Sequence, residues 1–158
     1  MQFLKKSLLI LFFITASLQG ETFSPKEGDK GGYLALSKEQ AISNTTYLYI
    51  KYGLEEFRKE GVSFVLLDLD TPGGEIFSSM QIVEELHKME AEYGIPVIAF
   101  VDNWALSAGA LLAYSCKFIG AKEQSSMGAA EPVLVSSDGK MESRSEEHTS
   151  ELQSPDHL

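Results

Sequence analysis

The 158-residue sequence predicts an α/β domain with a largely parallel sheet. Three observations carry this. Two nearly continuous apolar runs rich in strand-forming residues, "VSFVLLDL" (62–69) and "PVIAFV" (96–101), look like strands buried on both faces. The intervals between such runs carry apolar residues at helical spacing. Gly and Pro stand at the junctions. Strand and helix in alternation build βαβ units, whose crossovers are right-handed in nearly every sheet.

The elements follow in order. Residues 1–20 stand apart: Lys5 and Lys6, an apolar run from Leu8 to Ile14, then Ala16, Ser17, Gln19 and Gly20. That order reads as a secretory signal peptide, and the apolar run is short for a bilayer span. Residues 21–31 are polar with Pro and Gly, a linker. "GYLAL" (32–36) suits a short first strand. Tyr47, Ile50, Leu54 and Phe57 give a helix from Thr45 to Glu60, capped by Ser43 or Asn44 and ended by Gly61. After the strand at 62–69, "DTPGG" (70–74) breaks the chain. A second helix follows, with Ile76, Met80, Val83, Leu86 and Met89 as its inner stripe, and Gly94 and Pro96 lead into the next strand. Residues 102–106 read as a loop, and a small-residue helix begins near Ser107. "KFIGA" (117–121) is a further strand, and "SMGAAEPVLV" (126–135) can hold one more.

The last stretch, residues 144–158, lacks apolar periodicity and is acidic. Its first ten or so residues resemble the translation of a sequencing-library adapter. On that expectation native sequence stops near Ser143, and 32–143 is a partial domain followed by a non-native disordered tail.

Composition narrows the function. The net charge is −10, and setting both ends aside changes it by only about one unit. An acidic body does not suit nucleic acid, whose phosphates need clustered Lys and Arg. Cys116 is the single cysteine, so no internal disulfide forms; it reads as a small buried residue. No metal-ligand spacing or phosphate-binding loop appears, so neither a metal nor a cofactor is expected.

Ligands of open α/β folds gather at the carboxyl ends of strands. Two segments leave strands there: Asp70 to Gly74, and Asp102 to Leu106 running into Ser107. Gly73 and Gly74 allow backbone geometry closed to other residues, and amides beside a helix start can hold a developing oxyanion. Taken alone, they are read first as a plain tight turn between strand and helix. Ser107 is a nucleophile candidate, an N-cap serine, or one of several small residues chosen for tight packing. Its base is not evident. His87 lies off the apolar stripe of its helix, and His148 and His157 fall in the tail, so a Ser–His–Asp triad is disfavoured. Lys117, Lys122 and Lys140 lack apolar settings that would depress their pKa. Trp104 either lines a groove or packs in the core, and Tyr114 reads as core.

"LDLDTPGG", then "SAGALLA", then "MGAAEPV" resemble the NfeD-family, ClpP-class serine proteases of the ClpP/crotonase superfamily, over roughly residues 32–135. The resemblance implies a ClpP/crotonase-like spiral of βαβ units and a Ser–Lys dyad. By motif, Ser107 matches the nucleophile, and Gly73, Gly74 and the N–H of Ala108 match the oxyanion hole. Glu131-Pro132 falls where the cytosolic ClpP branch would place its histidine. The family's lysine lies on a later helix, so it is expected beyond Ser143, and Lys140 is not assigned that role. The resemblance further implies an exported, membrane-associated, homo-oligomeric endopeptidase. Its polypeptide substrate would be an apolar segment, such as that of a stomatin-like membrane protein. The alternatives are a non-catalytic scaffold or binding module, and a crotonase-like acyl-CoA enzyme, which export disfavours.

Overall fold

The computed structural model describes residues 22–130, 133–135 and 141–143. The expected leader, the tail, Glu131-Pro132, Lys140, His148 and His157 lie outside the described residues. Strand β1 (Gly31–Leu36), helix α1 (Asn44–Glu60), β2 (Phe64–Thr71), α2 (Ile76–Ala91), β3 (Val97–Leu106), α3 (Ala108–Tyr114) and β4 (Phe118–Ala121) alternate as expected. Three short strands follow: β5 (Ser126–Gly128), β6 (Val133–Val135) and β7 (Met141–Ser143). The five-stranded sheet runs β1-β2-β3-β4, with β5 also on β3, and every pairing is parallel. The stretch read as one last strand holds two, and the second of them pairs antiparallel with the unexpected β7.

Each strand from β1 to β4 is added beside the one before it. Right-handed crossovers taken always in the same direction put every helix on one face. The core lies there: Leu34 and Leu36 from β1, Val65, Leu67 and Leu69 from β2, and Val97, Ala99 and Val101 from β3. They meet Ile50 and Leu54 of α1, Ile82, Leu86 and Met89 of α2, and Leu112 of α3. This corrects one expectation. Strand β2 is not buried on both faces; its residues alternate between buried and half-buried. Phe64, Leu66, Asp68 and Asp70 point to the face away from the helices, where no helix among the described residues covers them. Phe23, in the segment read as linker, packs on that face, its ring 5.0 Å from Phe64 and 5.6 Å from Phe118.

The helix ends follow their local chemistry. Ser43 stands before α1 in extended conformation, and its N–H donates to the Thr46 hydroxyl at 3.2 Å. Gly61 closes α1 in the left-handed region (φ 66°), its N–H donating to Arg58 and the next N–H reaching back to Phe57. The stripe of α2 departs from expectation in its first turns. Ile76 and Met80 are 57% and 49% exposed, while Ser78 and Ser79 are buried. Those two hydroxyls bond back to Glu75, at 2.8 Å to its carboxylate and 2.6 Å to its carbonyl. Small side chains bonded to the helix entry take the inner face there, and the larger apolar ones turn outward. Tyr114, expected in the core, is 63% exposed on the last turn of the short α3.

Leu67 is fully buried at the centre of the sheet. Leu67→Ala is expected to cost about 2–5 kcal/mol through lost burial and the cavity left behind, measurable by urea unfolding.

Candidate active site

Strand β3 continues where a loop was expected. Residues 102–106 are extended, and four steps along β3 from Val101 to Ala105 span only two along β2 from Leu69 to Thr71. This irregularity bends the strand end, as bulges beside functional sites do. Beyond it, Trp104, Ala105 and Leu106 pair with Ser126, Met127 and Gly128 of β5. Trp104 is 43% exposed, and Asn103 donates to the Asp70 carboxylate at 3.2 Å. The strand ends by handing the Ser107 N–H to the Gly128 carbonyl at 2.8 Å.

Ser107 then turns the chain into α3 with φ 51° and ψ −120°. A serine in that region is strained by about 1–3 kcal/mol and stays there only when its surroundings hold it. The Gly128 carbonyl holds its N–H. Its own carbonyl accepts from Ala110 at 3.0 Å and Leu111 at 3.3 Å. The side chain makes no capping hydrogen bond, so the ordinary N-cap explanation does not hold for it. Ser107 is half-buried, whereas Ala108, Gly109 and Ala110 behind it are buried.

The β2–α2 corner lies directly against this turn. A Cβ placed on Gly73 (φ 100°) would stand 2.7 Å from the Leu106 carbonyl oxygen, 2.8 Å from Ser107 Cβ and 3.0 Å from the Ala108 nitrogen. Only a glycine allows such an approach. On Gly74 a Cβ would fall on the Ile42 backbone. Ile42 straddles Gly74: its N–H donates to the Gly73 carbonyl at 2.8 Å, and its carbonyl accepts from Glu75 at 2.8 Å. In a parallel bridge of this kind the middle residue, Gly74, directs its own N–H away from the partner. The Gly73 N–H is engaged differently, donating to the Thr71 hydroxyl at 3.2 Å. Gly109 carries the small-residue packing expected of its stretch, since a Cβ there would stand 2.6 Å from Thr71 Cγ2.

The other candidates fall elsewhere. His87 is exposed on α2. Lys117 pairs with Glu90 at 2.9 Å. Lys122 pairs with Asp102, and that hydrogen bond holds its pKa above the ordinary lysine value. Among the described residues no group of three or more His, Cys, Asp or Glu side chains could hold a metal ion. Thr71, Ile42 and Gly128 were not singled out in the sequence. A polar Thr closing an apolar strand and a lone Ile in "SKEQAISN" were the available signals.

Cys116 is half-buried, and its thiol is pushed up to about 12 by burial first and the Glu90 carboxylate second. The neutral thiol is therefore the form the fold favours. Its contribution is complete below the ordinary thiol value near 9 and is lost as pH rises towards 12. Wild type is expected to lose more stability between pH 8 and pH 10.5 than Cys116→Ala does, by urea unfolding at the two pH values. Alkylation by iodoacetamide at pH 8 should be slow until the chain is unfolded.

A one-sided parallel α/β domain with a strained serine turn seated on a Gly-Gly corner is the class these features define. Residues 33–151 match the family described as NfeD1b, N-terminal domain, and the chain belongs to it. Among curated proteins it is 28% identical over 126 residues to Membrane protein NfeD1b of Bacillus subtilis, covering 80% of this chain. It is 27% identical over 131 residues to Membrane-bound protease PH1510 of Pyrococcus horikoshii, covering 81% of this chain. The matched region spans 27% of the length of each of these relatives. The ClpP-like fold is shared with two solved structures of the 1510-N membrane-bound stomatin-specific protease. A lysine-to-alanine variant in complex with a substrate peptide gives a TM-score of 0.66 at 24% identity, covering 80% of this chain and 57% of that one. A serine-to-alanine variant gives 0.65 at 23% identity, covering 78% and 59%. Among the described residues no helix is long and apolar enough to cross a membrane.

Proposed function

We propose that this chain is the catalytic portion of an exported, membrane-associated serine endopeptidase. The observation that carries the reading is the Ser107 turn: a strained backbone, a side chain with no capping bond, and a glycine corner in contact with it. Strain of this kind is common at strand-to-helix turns that present a nucleophile. The protease name of the Pyrococcus relative supports the same class.

In the proposed reaction Ser107 Oγ loses its proton to a lysine supplied by sequence beyond Ser143 and attacks a peptide carbonyl. The N–H groups of Gly74 and Ala108 receive the oxyanion. Gly73 allows the corner to approach, and its own N–H can join only by sharing or leaving its bond to Thr71. The amine leaves with the proton, and water then releases the acyl group from Ser107. An apolar segment of a membrane protein, stomatin-like in kind, is the proposed substrate, in line with the 1510-N protease's name. A homo-oligomer is the proposed assembly.

A serine-directed fluorophosphonate tests the reading. Labelling is expected at Ser107 in a chain extended through the region of its longer relatives, together with cleavage of an apolar peptide by the same form. Folded protein that neither labels nor cleaves would favour the scaffold. Coenzyme A binding without labelling would favour the acyl-CoA enzyme.

A further inference from the structure

Thr71 touches both halves of the site at once. It is fully buried. Its hydroxyl accepts the Gly73 N–H at 3.2 Å. Its methyl lies against Gly109, two residues after Ser107, where a Cβ would stand 2.6 Å away. The corner's next peptide is held from the other side, where the Gly73 carbonyl accepts the Ile42 N–H at 2.8 Å. A trans peptide with its carbonyl towards Ile42 sends the Gly74 N–H the opposite way. Gly73, at φ 100° and without a Cβ, would otherwise leave both planes free to rotate.

We infer that Thr71 is a positioning residue for the oxyanion corner: its hydroxyl fixes the Pro72–Gly73 peptide, and together with the Ile42 bond that orients the Gly73–Gly74 peptide it holds the corner, with its Gly74 N–H, against the Ser107 turn. This rests on the proposed serine chemistry for its consequence, but not for its geometry. Two roles for Thr71 make opposite demands on substitution. If the hydroxyl matters, Thr71→Ser preserves function and Thr71→Val does not. If only packing against Gly109 matters, Thr71→Val is tolerated, because it keeps the methyl, and Thr71→Ser is the damaging change.

The test has two readouts, the first on this chain and the second on a form extended through the region of its longer relatives, which supplies the proposed lysine. One is hydrogen exchange of the Gly73 and Gly74 amides by NMR; the other is the rate of fluorophosphonate labelling at Ser107. Thr71→Val is expected to speed Gly73 exchange about tenfold and to slow labelling by a similar factor, as loss of one buried hydrogen bond implies. Thr71→Ser is expected to stay close to wild type in both. Gly73 exchange unchanged in Thr71→Val, or Thr71→Ser worse than Thr71→Val, overturns the inference. Should Thr71→Val fail to fold, Thr71→Ser decides alone: retained Gly73 protection and labelling support the inference, and their loss sinks it. A wild type that takes no label defeats the serine chemistry instead, and the exchange contrast still decides whether the hydroxyl holds the corner.

Discussion

Ser107→Ala is expected to abolish phosphonate labelling and peptide cleavage while leaving stability within about 0.5 kcal/mol of wild type. Loss of a serine nucleophile lowers turnover on the order of 10⁶-fold in well-studied serine proteases, so residual cleavage should fall below detection. The stability half of the result is as informative. A serine whose hydroxyl caps a helix costs about 0.5–2 kcal/mol when replaced by alanine. The Ser107 side chain makes no such bond, so that loss is not expected. Ser107→Gly adds a control. It relieves the strained backbone at φ 51°, and stability should rise by about 1 kcal/mol although activity disappears. Urea unfolding with parallel labelling reads both quantities. A clear loss of stability in Ser107→Ala together with unchanged cleavage would return Ser107 to a structural role.

Gly73→Ala is expected to damage stability and labelling together. The added methyl would stand 2.7 Å from the Leu106 carbonyl and 2.8 Å from Ser107 Cβ, at a φ of 100° that alanine resists. Both contacts belong to the β3–α3 turn, which the Gly128 carbonyl already holds, so neither yields as a flexible side chain would. Backbone strain and overpacking together predict a loss of about 2–5 kcal/mol. Whatever fraction folds must push the corner away from Ser107. Removing one oxyanion donor alone costs about 100- to 1000-fold, so labelling should fall at least that far. Near-native stability and labelling in Gly73→Ala would mean that the corner and the serine turn are not in the contact described.

Much of the architecture was legible because it rests on local signals. The spacing of Ile50 and Leu54, the stop at Gly61 and the apolar runs of β2 and β3 each declare an element within a few residues. The failures have a common cause. "FVLLDLD" reads as buried on both sides because its apolar residues occupy both parities. Burial of a face depends on which side the crossovers pass, and no single strand records that. Hydrophobicity alone puts Ile76 and Met80 on the inner stripe of α2, but the hydroxyls of Ser78 and Ser79, bonded back to Glu75, take that face instead. The extension of β3 to Leu106 was hidden because "DNWAL" has turn-like composition, and its partner β5 arrives some twenty residues later.

The candidate site divides in the same way. Ser107, Gly73, Gly74 and Ala108 could be named from their motifs, since the need for a hydroxyl and for missing side chains is written in residue type. Sequence alone thus determined the alternation of elements, the NfeD-type pattern and the residues at issue. Tertiary structure decided that Gly73 touches Ser107, that the serine is strained and uncapped, and that Thr71 and Ile42 hold the two peptides of the corner. Apart from the Thr71–Gly73 bond, which spans two residues, those are relations between atoms some thirty residues apart or more, or turned out of their local minimum by distant partners. Residue type limits what a side chain can do, but only the packed sheet fixes which backbone groups it meets.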